Sequence, residues 1–547
     1  MSKRISIILV IMGLSLDVLL AGKVWVFFTD KNSSKKAEII LHEKTILRRT
    51  KVGITYTWYD IPVSPEYITA VKMIGAVIHR KSKWLNAVSV SGNEGQMNTI
   101  RELPFVKKIQ PVAVFKRKKE KLFTPSYTPK SFSTDSSFYG FAWEQIEQIN
   151  CQAAHEAGYY GQGVRILILD TGFNTELSVF DSLNIIDEWD FINEDGNTAN
   201  ENNDAANQHN HGTMVFSTMA GYDPGYLVGP AYGSEFLLAK TEDVTSESIV
   251  EEDNYVAALE WGEQNGADVV SSSLGYLDWY SYCDMDGNTA VTTNAVDIAV
   301  SLGIVCVTAA GNWSTENPPP NPCDTLYYYI SAPADADSVI AVGAVNRDGI
   351  IASFSSHGPT YDGRIKPEVC ARGVSTWATN PNSNSYTTAS GTSLSAPLVG
   401  GAAAVILSAN PDWTPMQVRE ALMMTADQSD NPDNDYGYGI INVMAAIDYD
   451  TSSINDEILP EDFSILNVYP NPFNPTTTIR FSVETLHAMS LHIFDINGRL
   501  VETLIDGIVN PGVYKIEWNA SNVASGVYLL RLKTINNVYT KKITYLK

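Results

Sequence analysis

The sequence has 547 residues, of which 44% are hydrophobic and 18% are charged, and its formal net charge is -24. A chain of this length and apolar content exceeds one ordinary domain and can bury several cores, so we expect two to four folded units. The acidic balance argues against a nucleic-acid partner and favours solubility outside the cell.

The first 22 residues predict a secretory signal peptide. Lys3 and Arg4 form a basic start, Ile5 to Leu16 form an apolar run, and Ala21-Gly22 is a pair of small residues. The alternative is a membrane anchor, but Asp17 interrupts the run and leaves it short of the roughly 20 residues that a spanning helix needs. We therefore expect export of the chain.

Residues 23–121 show the alternation of strand and helix patterns that is typical of a small α+β domain. The predicted strands are VWVFF, WLNAVSVSG and FVKKIQPVAVF, and the predicted helices are SPEYITAVKMIGA and EGQMNTIRELP. This part has 20 Lys/Arg against 8 Asp/Glu, whereas the chain from Leu122 onward has 16 against 53, so the two parts should attract each other. The basic segment could also indicate nucleic-acid binding, but it lacks interleaved aromatic residues and follows an export signal.

The basic stretch FKRKKEK ends this domain, and the Pro/Ser-rich residues 122–140 that follow it are predicted to be an exposed linker. From 141 to 449 near-continuous apolar runs alternate with amphipathic helix patterns, which predicts a doubly wound α/β domain with a parallel sheet covered on both faces. The predicted strands are VRILILD, ADVVSSSLG, GIVCVTAAGN and SVIAVGAVN. Thr414 to Gln417 has the pattern of a helix N-cap with a proline at the first helical position.

The acidic stretch 450–464 is predicted to be a second linker, and residues 465–547 a small β-sandwich with a two-residue hairpin turn at Asn497-Gly498. The chain has five cysteines, too few for a disulfide scaffold at this length. Cys283 and Cys323 lie in polar, turn-rich segments and could pair after export, whereas Cys306 lies in an apolar run and is predicted to be a buried core residue.

Three residues occupy positions where an open parallel sheet places catalytic groups, at strand ends and helix starts. Asp170 ends the run VRILILD, His211 opens HGTMVFSTMAG, and Ser393 lies in GTSLSAPLVGGAAAVILSA. A serine hydroxyl needs an imidazole to take its proton, and the imidazole needs a carboxylate to fix its tautomer. Each residue alone is a weak signal, but their joint occurrence predicts acyl-transfer chemistry.

Two further strand ends supply groups for the same chemistry. Asn312 ends the run GIVCVTAAGN, where its amide can donate to a developing oxyanion together with the main-chain N–H of Ser393, although Gly311-Asn312 could also be a simple turn. Ser273-Leu274-Gly275 ends another strand and could pair with an extended peptide.

The segments LILDTG, HGT, SSLG, AAGN and GTSLSAP closely resemble, in order and context, the signatures of the subtilisin-like serine proteases, and YGYGIINVMAAI resembles the closing segment of that domain. The resemblance implies Asp170, His211 and Ser393 as the catalytic triad and Asn312 as the oxyanion donor. It also implies that the substrate groove is walled by Ser273, Leu274, Gly275, Ala309, Ala310 and Gly311. His209 competes locally with His211 but lacks the following Gly-Thr.

The flanking segments resemble known attachments of that family. Residues 24 to 115 look like the subtilase prodomain, an intramolecular chaperone and inhibitor, which implies a zymogen that cuts itself between about Phe115 and Ser137. YPNPFNPTTTIRF and the strands up to the C terminus look like the sorting domain of type IX secretion cargo. The implied partners are protein or peptide substrates, the chain's own prodomain, and the outer-membrane secretion machinery, and the implied location is outside the cell or on its surface.

The chemistry implied by the resemblance requires no cofactor. Calcium is common in the family, and Asp284 to Asn288 resembles the opening of a calcium loop, but the closing glutamate is missing and a solvated turn is the alternative. No metal site is assigned.

Two other functions remain to be weighed against an active endopeptidase. The first is a binding or adhesion protein on an inactive protease fold, which the retention of all four chemical positions disfavours. The second is an acid-acting relative with a glutamate base and an aspartate in the oxyanion site, which His211 and Asn312 disfavour.

Overall fold

The computed structural model describes residues 23–31, 41–112, 136–244, 252–276, 280–314, 323, 328–451, 463–483, 487–496, 498–509, 512–533 and 538–547. The predicted signal peptide, most of the first linker and most of the second lie outside the described residues. The chain divides into two compact units, one comprising Met1–Lys51 and Ile61–Thr451 and the other Val52–Asp60 and Ser452–Lys547.

The N-terminal part of the first unit is an antiparallel four-stranded sheet in the order β2-β3-β1-β4, and two of its three helices, α2 and α3, contribute to the apolar core on one face. Its strands are β1 Val24–Phe28, β2 Val77–Ser82, β3 Ala87–Ser91 and β4 Val106–Pro111. Its helices are α1 Glu43–Lys51, α2 Pro65–Met73 and α3 Glu94–Arg101. Alternate residues of β1, namely Val24, Val26 and Phe28, face a small apolar core. The sequence pattern predicted α2 and α3 but not α1.

The larger part of the first unit is built on a parallel seven-stranded sheet in the order β13-β12-β11-β10-β5-β9-β6, with helices on both faces, as the apolar runs predicted. Its strands are β5 Arg165–Asp170, β6 Asn184–Asp190, β9 Glu235–Lys240, β10 Val269–Ser272, β11 Val305–Ala309, β12 Ile340–Val345 and β13 Val369–Arg372. From β5 the chain passes to β6 at one edge of the sheet and then to β9, which lies between them. Strands β10 to β13 then follow in order on the other side of β5. The point at which the winding reverses therefore lies at β5.

Nine described helices belong to this α/β domain. They are α4 Ser136–Tyr139, α5 Trp143–Gln148, α6 Cys151–Glu156, α7 Asn210–Ala220, α8 Glu252–Gln264, α9 Val291–Ser301, α10 Thr392–Ala409, α11 Pro415–Met424 and α12 Val443–Ile447. Two small hairpins, β7 Tyr222–Asp223 with β8 Leu227–Val228 and β14 Thr376–Thr379 with β15 Tyr386–Ala389, complete it. The predicted N-cap at Thr414 is confirmed at the start of α11, where Thr414 and Gln417 form a capping box.

Helix α10 is the central helix of the domain, and glycines let it approach its neighbours. A Cβ on Gly400 would lie 2.9 Å from the Ser271 hydroxyl oxygen, and one on Gly401 would lie 3.0 Å from the Pro230 side chain. Among the described helices α10 alone has the length and apolar composition of a membrane span, yet 89% of its residues are buried inside the fold. It is therefore explained as a core helix.

The first predicted linker ends earlier than residue 140. Helix α4 occupies its last residues, and Tyr139 is buried in the core of the α/β domain. The Tyr139 ring packs on Trp143, and its hydroxyl lies 3.0 Å from His155 Nδ1. Burial of this aromatic side chain is the reason that the segment folds onto the domain.

The second unit consists of two antiparallel sheets, ordered β16-β17-β20 and β19-β18-β21-β22. The strands are β16 Phe463–Tyr469, β17 Thr476–Val483, β18 His487–Asp495, β19 Leu500–Val509, β20 Gly512–Asn519, β21 Gly526–Lys533 and β22 Val538–Tyr545. Ile479 and Phe481 from the first sheet share one core with Leu491, Ile493 and Leu530 from the second, as in a sandwich. Strand β16 begins two residues inside the predicted linker. At the predicted hairpin turn Gly498 has φ +77°, and Asn497 lies outside the described residues.

Cys283 and Cys323 form a disulfide, while Cys151, Cys306 and Cys370 are buried free thiols. Burial raises the pKa of each of these three thiols, so they stay protonated and unreactive.

Iodoacetamide should label no cysteine in the native chain, three after unfolding without reductant, and five after reduction, as counted by intact mass. Labelling of Cys283 or Cys323 before reduction would contradict this assignment.

His155 is buried on α6, with Nε2 2.7 Å from the Pro230 carbonyl oxygen. Burial lowers its pKa to about 4, against about 6.5 in an unfolded chain, so the folded protein holds the neutral imidazole. This stabilising contribution is present above about pH 6.5 and is lost as the pH falls towards 4. His155→Gln should therefore show a smaller decrease in Tm between pH 6.5 and 4 than the wild type, and equal decreases would count against the buried neutral state.

Candidate active site

Asp170 lies at the carboxyl end of β5, the strand at which the winding of the sheet reverses. Its side chain is fully buried, and Oδ1 accepts hydrogen bonds from the Thr171 main-chain N–H at 2.7 Å and from His211 Nδ1 at 2.6 Å. The bond from Nδ1 places the imidazole proton on that nitrogen, so that Nε2 of the neutral ring carries the lone pair that a base needs.

The buried His211 lies in the first turn of α7, and the glycine after it determines how closely this helix approaches β5. A Cβ on Gly212 would lie 2.2 Å from the Gly172 carbonyl oxygen and 2.9 Å from Asp170 Cβ. Only glycine fits this contact, which explains the Gly in HGT physically. The competitor His209 faces the preceding loop instead, where its Nδ1 accepts a hydrogen bond from the Asn200 main-chain N–H at 3.1 Å.

Ser393 is the second residue of α10, in the first turn of the helix, where main-chain N–H groups and the helix dipole favour negative charge. Its carbonyl oxygen accepts a hydrogen bond from the Ser273 hydroxyl at 2.9 Å. This bond ties the candidate nucleophile's helix to the segment that follows β10. The structure thus brings a predicted groove residue into contact with Ser393.

Asn312 follows β11, and its orientation is fixed by Thr392, the residue before the candidate nucleophile. Asn312 Oδ1 accepts hydrogen bonds from the Thr392 main-chain N–H at 2.8 Å and from its hydroxyl at 3.0 Å. The Thr392 hydroxyl in turn accepts a bond from the Gly311 N–H at 3.2 Å. Because both donors hold the amide oxygen, the amide nitrogen is the group that can serve a substrate oxygen.

The remaining predicted groove residues lie at the same edge of the sheet. Ser273 to Gly275 follow β10, and Ala309 is the last residue of its neighbour β11, with Ala310 and Gly311 just beyond it. Leu274, Ala309 and Ala310 are buried, so these two segments present main chain rather than side chains. A Cβ on Gly275 would lie 2.4 Å from the Ser331 hydroxyl oxygen and one on Gly311 would lie 3.2 Å from it, so glycine is needed on both segments.

Several residues of the site were not predicted from the sequence. The GTS motif pointed to the position of Thr392, but only the folded chain shows that this residue holds Asn312. No motif indicated Ser331, because it comes to the groove from a separate loop that follows Gly311. No motif indicated Lys240 either. This buried side chain lies 2.7 Å from the carboxylates of both Asp190 and Asp204 and so fixes the acidic loop that leads to His211.

The acidic turn considered for calcium is occupied by hydrogen-bond donors from the protein itself. Asp284 accepts from the main-chain N–H and hydroxyl of Ser281, and Asp286 accepts from the N–H groups of Asn288 and Thr289. The Arg364 guanidinium lies against Gly287, within 2.6 Å of a Cβ built there. These contacts favour the turn over a calcium loop.

Elsewhere in the described residues, Asp190, Asp195 and Glu201 lie with one carboxylate oxygen each within 4.8 Å of the others. Asp190 is already paired with the Lys240 ammonium. This cluster is not assigned as a metal site.

Comparisons with known proteins cover all three parts of the chain. Residues 161–439 match the model of the subtilase family, residues 23–124 match a peptidase S8 propeptide domain of Bacteroidota, and residues 467–545 match a secretion system C-terminal sorting domain. The chain is 36% identical over 302 residues to subtilisin E from Bacillus subtilis, covering 55% of this chain and 70% of that protein.

Other relatives align over nearly their whole length. Subtilisin from Bacillus pumilus is 36% identical and subtilisin Savinase from Lederbergia lenta is 32% identical, each over 302 residues that make up 55% of this chain and 97% of the relative. The similarity thus extends across a complete peptidase domain.

Asn312→Ala is expected to lower kcat roughly a hundredfold to a thousandfold with little change in KM, because the amide would act on charge that develops only in the transition state. Thr392→Ala keeps the main-chain bond to Asn312 but loses the hydroxyl, so a smaller decrease, roughly tenfold, is expected, and Thr392→Ser should restore the rate. Steady-state kinetics on a chromogenic peptide measure this, and an unchanged kcat in Asn312→Ala would contradict the assignment.

Proposed function

Because the chain belongs to the subtilase family of serine endopeptidases, we propose that Asp170, His211 and Ser393 form the catalytic triad that hydrolyses its peptide substrates. The observation that carries this proposal is the 2.6 Å bond between His211 Nδ1 and Asp170 Oδ1 at the carboxyl end of β5. Catalysis in this family needs no cofactor, and structural calcium stays unassigned.

In the first half of the reaction the Ser393 hydroxyl oxygen bonds to the substrate carbonyl carbon while its proton passes to His211 Nε2. The Asp170 carboxylate holds the imidazole in place and stabilises the positive charge that it gains. The carbonyl oxygen becomes an oxyanion, which accepts hydrogen bonds from the Asn312 amide and the Ser393 N–H. His211 then gives the proton to the leaving amine, the C–N bond breaks, and an acyl-enzyme remains.

In the second half a water molecule replaces the amine. His211 takes its proton, the hydroxide attacks the acyl carbon, and the bond to the Ser393 oxygen breaks as the proton returns to that oxygen. The substrate lies as an extended segment between the main chains of Ser273 to Gly275 and Ala309 to Gly311, the two walls of the groove.

The protein is made as a zymogen and is exported, since a propeptide domain precedes the peptidase domain and a secretion sorting domain follows it. We assign the propeptide to residues 23–121, the peptidase domain to 136–449, so that it includes α4, and the sorting domain to 463–547, so that it includes all of β16. The propeptide inhibits its own peptidase domain, and the sorting domain engages the outer-membrane secretion machinery. Self-cleavage between about Phe115 and Ser137 would separate the first two, in a segment that lies almost entirely outside the described residues.

Ser393→Ala should leave the precursor uncut when it is expressed in a protease-free host, because the hydroxyl that attacks the linker is gone. Asn382→Ala, an exposed change that leaves the triad intact, serves as a control and should be processed normally. Immunoblots and mass spectrometry of the termini measure the outcome. Normal processing of Ser393→Ala would refute self-cleavage.

A fluorophosphonate probe tests the nucleophile directly. It should attach covalently to Ser393 of the processed wild-type chain, and peptide mapping should locate it there. A processed chain that takes no label would instead support a binding protein on an inactive protease fold.

A further inference from the structure

Helix α1 of the propeptide exposes apolar side chains and buries charged ones, which is the reverse of an ordinary surface helix. Its apolar residues Ile46 and Leu47 are 48% and 59% exposed, whereas Arg48 and Arg49 are 1% and 0% exposed. An amphipathic helix normally buries its apolar side. Polar contacts, which Lys44 and Thr45 make as well as the two arginines, and not apolar packing, therefore hold this helix in place.

Arg48 reaches three acceptors on the peptidase domain. Its Nε donates to the Leu302 carbonyl oxygen at 3.2 Å, Nη1 to the Ala267 carbonyl oxygen at 2.5 Å, and Nη2 to Glu263 Oε1 at 2.6 Å. Leu302 is the C-cap of α9, and Ala267 follows the end of α8 by three residues. The C-terminal ends of two helices, whose carbonyls and dipoles favour positive charge, thus converge on one planar guanidinium.

Glu263 also receives the second arginine. Arg49 Nε lies 3.0 Å and Nη2 lies 2.9 Å from the same Oε1, and the carboxylate is fully buried. The neighbouring Thr45 hydroxyl donates to the Glu263 carbonyl oxygen at 2.7 Å. The site therefore combines a carboxylate with three main-chain carbonyl oxygens, all of them acceptors.

This site is distant from the substrate groove by topology. Ala267 stands just before the start of β10 and Leu302 just before the start of β11. The strands are parallel, so the site lies at the amino edge of the sheet, while Ser273 and Ala309 lie at the carboxyl edge. The peptidase domain can therefore bind arginine side chains here without involving its groove.

The propeptide sheet contacts α8 elsewhere. Ser89 donates to Asp253 in the first turn of that helix, and Ser82 donates to Glu260 at 2.6 Å. Beside α1 a cleft of about 530 Å³ stays open between Lys51 and Asp412. Since the helix is not closely packed on this side, its attachment depends on a few polar contacts that single substitutions can remove.

We propose that the C-terminal ends of α8 and α9 form a guanidinium-binding site, separate from the substrate groove, that takes Arg48 and Arg49 of the propeptide. This proposal rests on the proposed function, because it concerns how long the cleaved propeptide stays bound to the peptidase domain. The site attaches the propeptide to the peptidase domain in addition to the covalent linker, and cutting the linker leaves all of its contacts intact.

The test follows propeptide release from the full chain after self-cleavage. The variants are Arg48→Gln, Arg49→Gln and Glu263→Gln, and Arg101→Gln on α3, which removes an equal charge from an exposed side chain, is the matched control. Release is measured as the propeptide that co-elutes with the peptidase domain over time and as the rate at which peptidase activity appears. Release from Arg48→Gln and from Glu263→Gln should be faster by a factor on the order of ten to a hundred.

The double variant Arg48→Gln/Glu263→Gln should release faster than either single variant but by less than the product of the two effects, because the contact between Arg48 and Glu263 is lost in both. Release at the wild-type rate from Arg48→Gln would overturn the proposal. A release rate of the double variant that equals the product of the two single effects would also overturn it. If Arg48→Gln does not fold, Arg48→Lys decides, because it keeps the charge but cannot reach three acceptors. Release of Arg48→Lys at the wild-type rate would refute a guanidinium site.

The same samples separate this proposal from the proposed function. Fluorophosphonate labelling of Ser393 in every released variant, with unchanged release rates, would refute the guanidinium-binding site alone. A wild-type chain that neither processes itself nor takes the label would refute the catalytic assignment instead.

Discussion

The hydrogen bond between Asp170 and His211 joins the central strand β5 to helix α7, and the rest of the site is arranged around it. It can form only because Gly212 allows the helix to lie against Gly172 and Asp170. The bond is buried, so water does not compete with it and the imidazole keeps one tautomer. Asn312 and Ser393 belong to other elements but reach the same edge of the sheet, because parallel strands bring their carboxyl ends together.

Much of this arrangement could be predicted from the sequence because it depends on local patterns. The apolar run ending in Asp170 predicts a buried strand and its end, and the Gly-Thr after His211 distinguishes it from His209. By contrast, Thr392 holds Asn312 across 80 residues of sequence, and Lys240 pairs with Asp190 at the end of β6 and with Asp204 in the loop after it. Such contacts depend on tertiary geometry, so no periodicity or spacing reveals them.

Helix α1 escaped prediction for a related physical reason. Helix patterns are recognised by an apolar side that faces a core. In α1 the side that faces the protein carries Arg48 and Arg49, which are buried only because Glu263 and the ends of two helices satisfy them. Burying a charge is costly unless it is paired and hydrogen-bonded. Whether the arginines of RRTK are buried or exposed therefore depends on Glu263, which lies 215 residues after Arg48 in the sequence.

The surface that the peptidase domain offers to its propeptide is built from carboxylates. Asp253, Glu260 and Glu263 all lie on α8, and each can be hydrated when the propeptide leaves. Trp25 of the propeptide pairs in register with Ser89, whose hydroxyl bonds Asp253, so this buried aromatic side chain leaves with the propeptide. Maturation therefore uncovers a face that carries three carboxylates, and charged surface of this kind favours solubility outside the cell.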